Sequence, residues 1–141
     1  MEYESRNPKD TFDIAMQLGQ NAKPGDVFCM IGDLGVGKTL FSQGFAKGLD
    51  IEDNINSPTF TILQEYEEGR IPLYHFDVYR IEESDEMEEI GYWDKIYGDG
   101  VCLIEWADII EDIWPPHYTK ITITKDLNKV FDFLKIVIES V

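Results

Sequence analysis

The chain has 141 residues, 43% of them apolar and 13% aromatic, an ordinary globular composition for which one domain, residues 1–141, suffices. Its 28 acidic residues against 12 basic ones give a formal charge of −16, which argues against autonomous binding to RNA or DNA, because phosphates are repelled unless a partner presents the positive face. No apolar run nears the ~20 residues that cross a bilayer, and Met1–Arg6 lacks the basic-then-apolar layout of a secretory signal, so a soluble cytoplasmic protein is expected.

Met1–Arg6 alternates loosely and suits either an edge strand or an irregular start. Asp10 is a good helix N-cap, and Phe12, Ala15, Leu18 and Ala22 follow at near-helical spacing, which predicts a helix to about Asn21. Lys23-Pro24-Gly25-Asp26 is turn chemistry leading into a strand over Val27–Ile31. After a glycine-rich turn, Leu40, Phe41, Phe45 and Leu49 share one face of a second helix that ends at Asp50. The alternation from Phe60 to Glu65 predicts a strand, Glu67–Arg70 a hairpin turn, and Ile71–Tyr79 its antiparallel partner. Leu73, His75 and Asp77 then point to one side of that strand.

An acidic stretch follows, with Ser84 as the expected N-cap, Met87 and Ile90 as apolar positions and Gly91 as a stop, before one further turn over Tyr92–Tyr97. Val101–Ile104 is a short, wholly apolar run ending in Glu105-Trp106, as expected of a buried central strand with a charged C-terminal end. Ala107–Ile113 reads as a short helix, Lys120–Thr124 as a strand, and the apolar tail over Val130–Ile138 as a strand returning across Asp126–Asn128 or as a helix. Cys29 and Cys102 lie inside apolar runs, which suits buried reduced thiols rather than a disulfide or a metal site.

The turn between the first central strand and its helix is Gly32-Asp33-Leu34-Gly35-Val36-Gly37-Lys38-Thr39, which fits G-x-x-x-x-G-K-[ST]. Glycines let backbone N–H groups face an anion, the lysine reaches the outer phosphates, and the threonine hydroxyl binds magnesium. The helix N-terminus adds donors and a favourable dipole, so the cofactor-binding set is Asp33, Leu34, Gly35, Val36, Gly37, Lys38, Thr39 and Leu40. Such a site needs an acid at the end of a neighbouring strand to hold magnesium, directly or through water, and Glu105 is placed for it. Thr59, in Ser57-Pro58-Thr59, occupies the position where nucleotide switches sense the γ-phosphate, although an ordinary turn explains the same residues. Asp77 is either a base or metal contact or a solvated strand end; His75 reads as a packing residue, His117 as surface and Trp106, by pattern, as core.

Guanine specificity is unsupported, because Asn128-Lys129-Val130-Phe131 lacks the aspartate of N-K-x-D. Three arginines, Arg6, Arg70 and Arg80, cannot build the arginine-rich lid of a small-molecule kinase. A slow ATPase completed by a partner remains, beside a nucleotide-gated scaffold and a phosphotransferase as rivals.

GDLGVGKT, SPTF, HFDVYR and LIEW, in that order in one small acidic chain, closely resemble the TsaE family of bacterial ATPases needed to make threonylcarbamoyladenosine in tRNA. The resemblance implies an α/β P-loop domain with a mixed central sheet flanked by helices, ATP and Mg²⁺ as cofactors, and a TsaD–TsaB pair as partner, with tRNA engaged only indirectly. It implies Lys38 and Thr39 as phosphate and Mg²⁺ contacts, Thr59 as the switch-like threonine, Glu105 as the acidic metal-site residue, Asp77 as an acid implicated in activity, and Trp106 as an aromatic near the nucleotide.

Overall fold

A computed structural model describes residues 1–32, 38–52, 62–125 and 134–141, with Lys38 described at the backbone only. Seven strands form one sheet: β1 (Glu2–Ser5), β2 (Val27–Gly32), β3 (Leu63–Tyr66), β4 (Leu73–Asp77), β5 (Val101–Glu105), β6 (Thr119–Lys125) and β7 (Leu134–Ser140). Their order across the sheet is β1-β7-β6-β2-β5-β4-β3. The four inner strands β6, β2, β5 and β4 run parallel, while β7, β1 and β3 pair antiparallel at the flanks. The expected mixed α/β sheet flanked by helices is therefore present, and the tail forms a strand from Leu134 to Ser140, with residues 130–133 outside the described residues.

Two apolar layers sandwich this sheet. On one face α1 (Pro8–Gln20) and α2 (Lys38–Gly48) cover Phe28, Met30, Leu73, Leu103, Ile121 and Ile123. On the other, α3 (Glu86–Glu89), α4 (Tyr92–Ile96) and a 3-10 helix over Ala107–Ile113 cover Val27, Cys29, Phe76, Val78, Cys102 and Ile104. β5 is buried along its whole length, which explains why its sequence is continuously apolar up to Glu105 instead of alternating. Among the described residues no helix is long and apolar enough to cross a membrane.

The packing of α1 on α2 depends on having no side chains at the crossing. A Cβ at Gly44 would stand 2.4 Å from the Phe12 carbonyl oxygen, and one at Gly48 2.2 Å from that of Met16. The end of α1 is held by Arg70, whose guanidinium donates to the carbonyls of Gly19 at 2.8 Å, Gln20 at 3.1 Å and Ala22 at 3.2 Å. These carbonyls lie at the C-terminal end of α1, where a cation suits the helix dipole.

Three local expectations shift. The helix expected to start from an Asp10 cap begins at Pro8, with Asn7 as N-cap accepting the Asp10 N–H at 2.9 Å, while the Asp10 carboxylate accepts the Arg6 N–H at 3.0 Å. Pro8 needs no N–H at the first helical position, so the cap falls one residue ahead of it. Ser84 does not cap α3; its hydroxyl donates to Asp112, and Asp85 is the N-cap residue without a side-chain capping bond. The expected strand over Phe60–Glu65 is seen from Leu63 to Tyr66, with residues 60–61 outside the described residues, as is the Asp126–Asn128 turn.

Candidate functional site

The parallel strands β2, β5 and β4 end at one edge of the sheet, in Gly32, Glu105 and Asp77 respectively. Register places Glu105 beside Met30 on one side and Asp77 on the other, so the two acids and the start of the glycine-rich turn form one row. In parallel α/β sheets this edge, beyond the strand C-termini, is where ligands bind.

Gly32 is fixed there by shape. Its φ is 137°, and a Cβ on it would come 1.9 Å from the carbonyl oxygen of Ile123 on β6. Only glycine meets both conditions, which gives the first residue of the motif a backbone reason. Asp33, Leu34, Gly35, Val36, Gly37 and Thr59 lie outside the described residues. Lys38 opens α2, Thr39 in its first turn is exposed, and Leu40 is half-buried.

Glu105 differs from a solvated strand end. It is 2% exposed, and its Oε2 lies 2.6 Å from Nε2 of His75, itself fully buried. His75 is in register with Leu103, two residues before Glu105, so the pair is a diagonal contact between adjacent parallel strands on the face that carries α1 and α2. The alternation that puts His75 on the side of Leu73 and Asp77 is visible in the sequence; the register that pairs it with Glu105 is not.

Asp77 is half-buried, with Oδ1 accepting the Tyr79 N–H at 3.1 Å. Trp106 follows Glu105 at φ 63°, a left-handed conformation rare for a large side chain, and its half-buried ring meets that of Tyr79 at 4.7 Å. Strain of this kind concentrates at functional sites. The structure thus brings Glu105, Asp77 and Trp106 together at the edge where Gly32 and α2 begin. His117 lies elsewhere, in a shallow polar hollow with Lys23 and Asp26 at the opposite strand ends.

Among the described residues no three His, Cys, Asp or Glu side chains cluster as a self-sufficient metal site. A hydroxyl at Thr39 and a carboxylate at Glu105 are hard oxygen donors, a set that suits magnesium shared with phosphate oxygens rather than a soft metal. Cys29 and Cys102 are free and buried; burial pushes both thiols up to about 12, aided at Cys29 by the neighbouring Cys102. Neither has the character of a nucleophile or metal ligand.

Comparison with known proteins adds an independent line. The family model described as "Threonylcarbamoyl adenosine biosynthesis protein TsaE" matches residues 5–131. A tRNA threonylcarbamoyladenosine biosynthesis protein TsaE of Bacillus subtilis is 49% identical over 125 residues, covering 89% of this chain and 78% of that protein. Its counterpart in Treponema pallidum is 40% identical over 119 residues, covering 84% of this chain and 87% of that one. The crystal structure of Bacillus subtilis YdiB superposes with a TM-score of 0.77 at 40% identity, covering 96% of this chain and 82% of that one.

Proposed function

The chain belongs to the TsaE family of threonylcarbamoyl adenosine biosynthesis proteins, and from that membership we propose that it is a cytoplasmic, magnesium-dependent ATPase serving tRNA modification through a TsaD–TsaB pair. The observation that carries the reading is the row Gly32, Glu105, Asp77 at the strand ends, on the face where α2 begins with Lys38 and Thr39. A phosphate-binding turn, a hydroxyl and a carboxylate at one sheet edge are the parts that nucleotide hydrolysis requires.

In this reading the backbone of Asp33 to Thr39 and the Lys38 ammonium hold the phosphates. Thr39 and Glu105 would hold magnesium, which would supply Lewis-acid stabilisation of charge on the phosphates. Hydrolysis then adds water to the γ-phosphorus and breaks its bond to the bridging oxygen, releasing ADP and inorganic phosphate. Asp77, one strand further out, orients the attacking water or takes its proton. Thr59 senses whether the γ-phosphate is present, and Trp106 packs beside the nucleotide. The tRNA is engaged through the partners, since a chain of charge −16 offers it little.

Phosphate release from ATP, measured with and without the partner pair, tests this. Slow release alone and faster release with the partners is the expected result. Bound ATP with no release in either case overturns the ATPase reading in favour of a nucleotide-gated scaffold. That rival draws on one structural fact: of three arginines, Arg70 is committed to the end of α1 and cannot serve as an arginine finger in the same arrangement. A phosphorylated metabolite in place of free phosphate would favour a kinase.

A further inference from the structure

The buried pair at the centre of the site costs stability that packing does not require. Glu105 is 2% exposed and His75 is fully buried, and among the described residues the Nδ1 of His75 has no hydrogen-bond partner. Apolar residues in place of both members of the pair would leave no orphaned nitrogen on the face that carries α1 and α2, and such replacement of a buried polar pair is often neutral or stabilising. The ring's polar contact is Nε2 with Glu105 Oε2 at 2.6 Å. We propose that His75 is a positioning residue for Glu105, its Nε2–H fixing the carboxylate so that the other oxygen is directed to the metal and phosphate end of the site.

The inference rests on the reading of Glu105 as the acid of the nucleotide site. A carboxylate that holds magnesium or its water acts as an acceptor, so in this pair Nε2 is the donor and Glu105 Oε2 the acceptor. Ligating carboxylates are themselves hydrogen-bonded by outer partners, and those partners set the angle at which the free oxygen meets the ion. The diagonal geometry suits this, because His75 grips Glu105 from two residues back along the strands, away from the edge where Gly32 ends β2.

The test uses the full chain with its partner pair and compares His75→Gln, His75→Asn and His75→Leu. A glutamine amide nitrogen reaches the Nε2 position, whereas that of asparagine reaches only Nδ1. The expected result is that His75→Asn and His75→Leu lower kcat for phosphate release by about 10- to 100-fold, with KM for ATP changed less than about threefold, and that His75→Gln recovers most of kcat. In a Glu105→Gln background, His75→Leu should cause little further loss, since the two residues act as one unit. A wild-type kcat in folded His75→Asn or His75→Leu overturns the proposal, as does a loss in all three variants that simply tracks their melting temperatures. Ring ¹⁵N NMR provides a readout independent of turnover, because the chain has only two histidines. The His75 Nε2–H resonance should be present and should shift on adding Mg²⁺ with a non-hydrolysable ATP analogue. If the wild-type protein releases no phosphate, the ATPase reading falls by itself; an Nε2–H that is absent or unmoved by the nucleotide overturns the positioning role.

Discussion

At the residue scale, the candidate site separates groups by what their burial permits. Lys38→Ala should abolish productive ATP binding, while Glu105→Gln, which keeps an acceptor for His75, should lose most hydrolysis yet retain nucleotide affinity; calorimetric titration beside a phosphate-release assay distinguishes the two, and normal turnover in either variant refutes its role. Glu105→Ala is the harsher change, because it strands the His75 ring as well, and a cost of about 1–3 kcal/mol is expected for the orphaned donor. The two thiols behave oppositely to a reactive site. Burial raises each from 9.0 to about 12, so between those values the folded chain keeps protons that the unfolded chain releases. Their contribution to stability is complete below pH 9 and is lost as pH rises towards 12. Urea midpoints should therefore fall above pH 9, and a thiol reagent at about pH 8 should leave both cysteines unmodified until the chain unfolds.

At the scale of elements, α1 and α2 show why propensity alone misleads. Alanine for glycine in a helix interior normally gains up to about 1 kcal/mol, which predicts that Gly44→Ala stabilises α2. The structure predicts the reverse, since the new methyl would sit 2.4 Å from the Phe12 carbonyl oxygen and 3.1 Å from the Ala15 Cβ. Forcing the helices apart should cost about 1–3 kcal/mol, read as a lowered urea midpoint at unchanged slope; a raised midpoint would show that the crossing yields easily. The same contrast marks what the sequence discloses. β2 and β5 were legible as apolar runs, and β3 with β4 as alternating stretches around a turn, because burial writes itself into residue type. The cap of α1 at Asn7 was missed because Asp10 is also a capping residue, and it takes the second half of the same arrangement by accepting the Arg6 N–H. The partnership of His75 with Glu105 was not legible at all: the residues are 30 apart, and a histidine in an apolar strand looks like packing until the register of β4 on β5 is known.

For the whole molecule, charge decides how the site is reached. A formal charge of −16 repels a polyanion such as ATP, so in the proposed function the phosphate contacts have to offset the field of the whole chain. The same field favours a partner whose docking face is basic, and exposed charges of that kind act over a screening distance of about 10 Å at 0.1 M salt. Association with the partner pair should therefore slow by about tenfold or more between roughly 20 and 200 mM salt, with the dissociation rate changing far less, because long-range attraction steers encounter more than it holds the bound state. Affinity for magnesium-bound ATP should change little over that range, since short contacts in a formed site are screened less than surface charges. Stopped-flow association and nucleotide titration across the same salt series measure both. Salt-independent association would mean that the partner meets an apolar face instead, for which the exposed Trp93 on α4 and Tyr97 just after it, stacked at 6.0 Å, are the candidates to replace by alanine next.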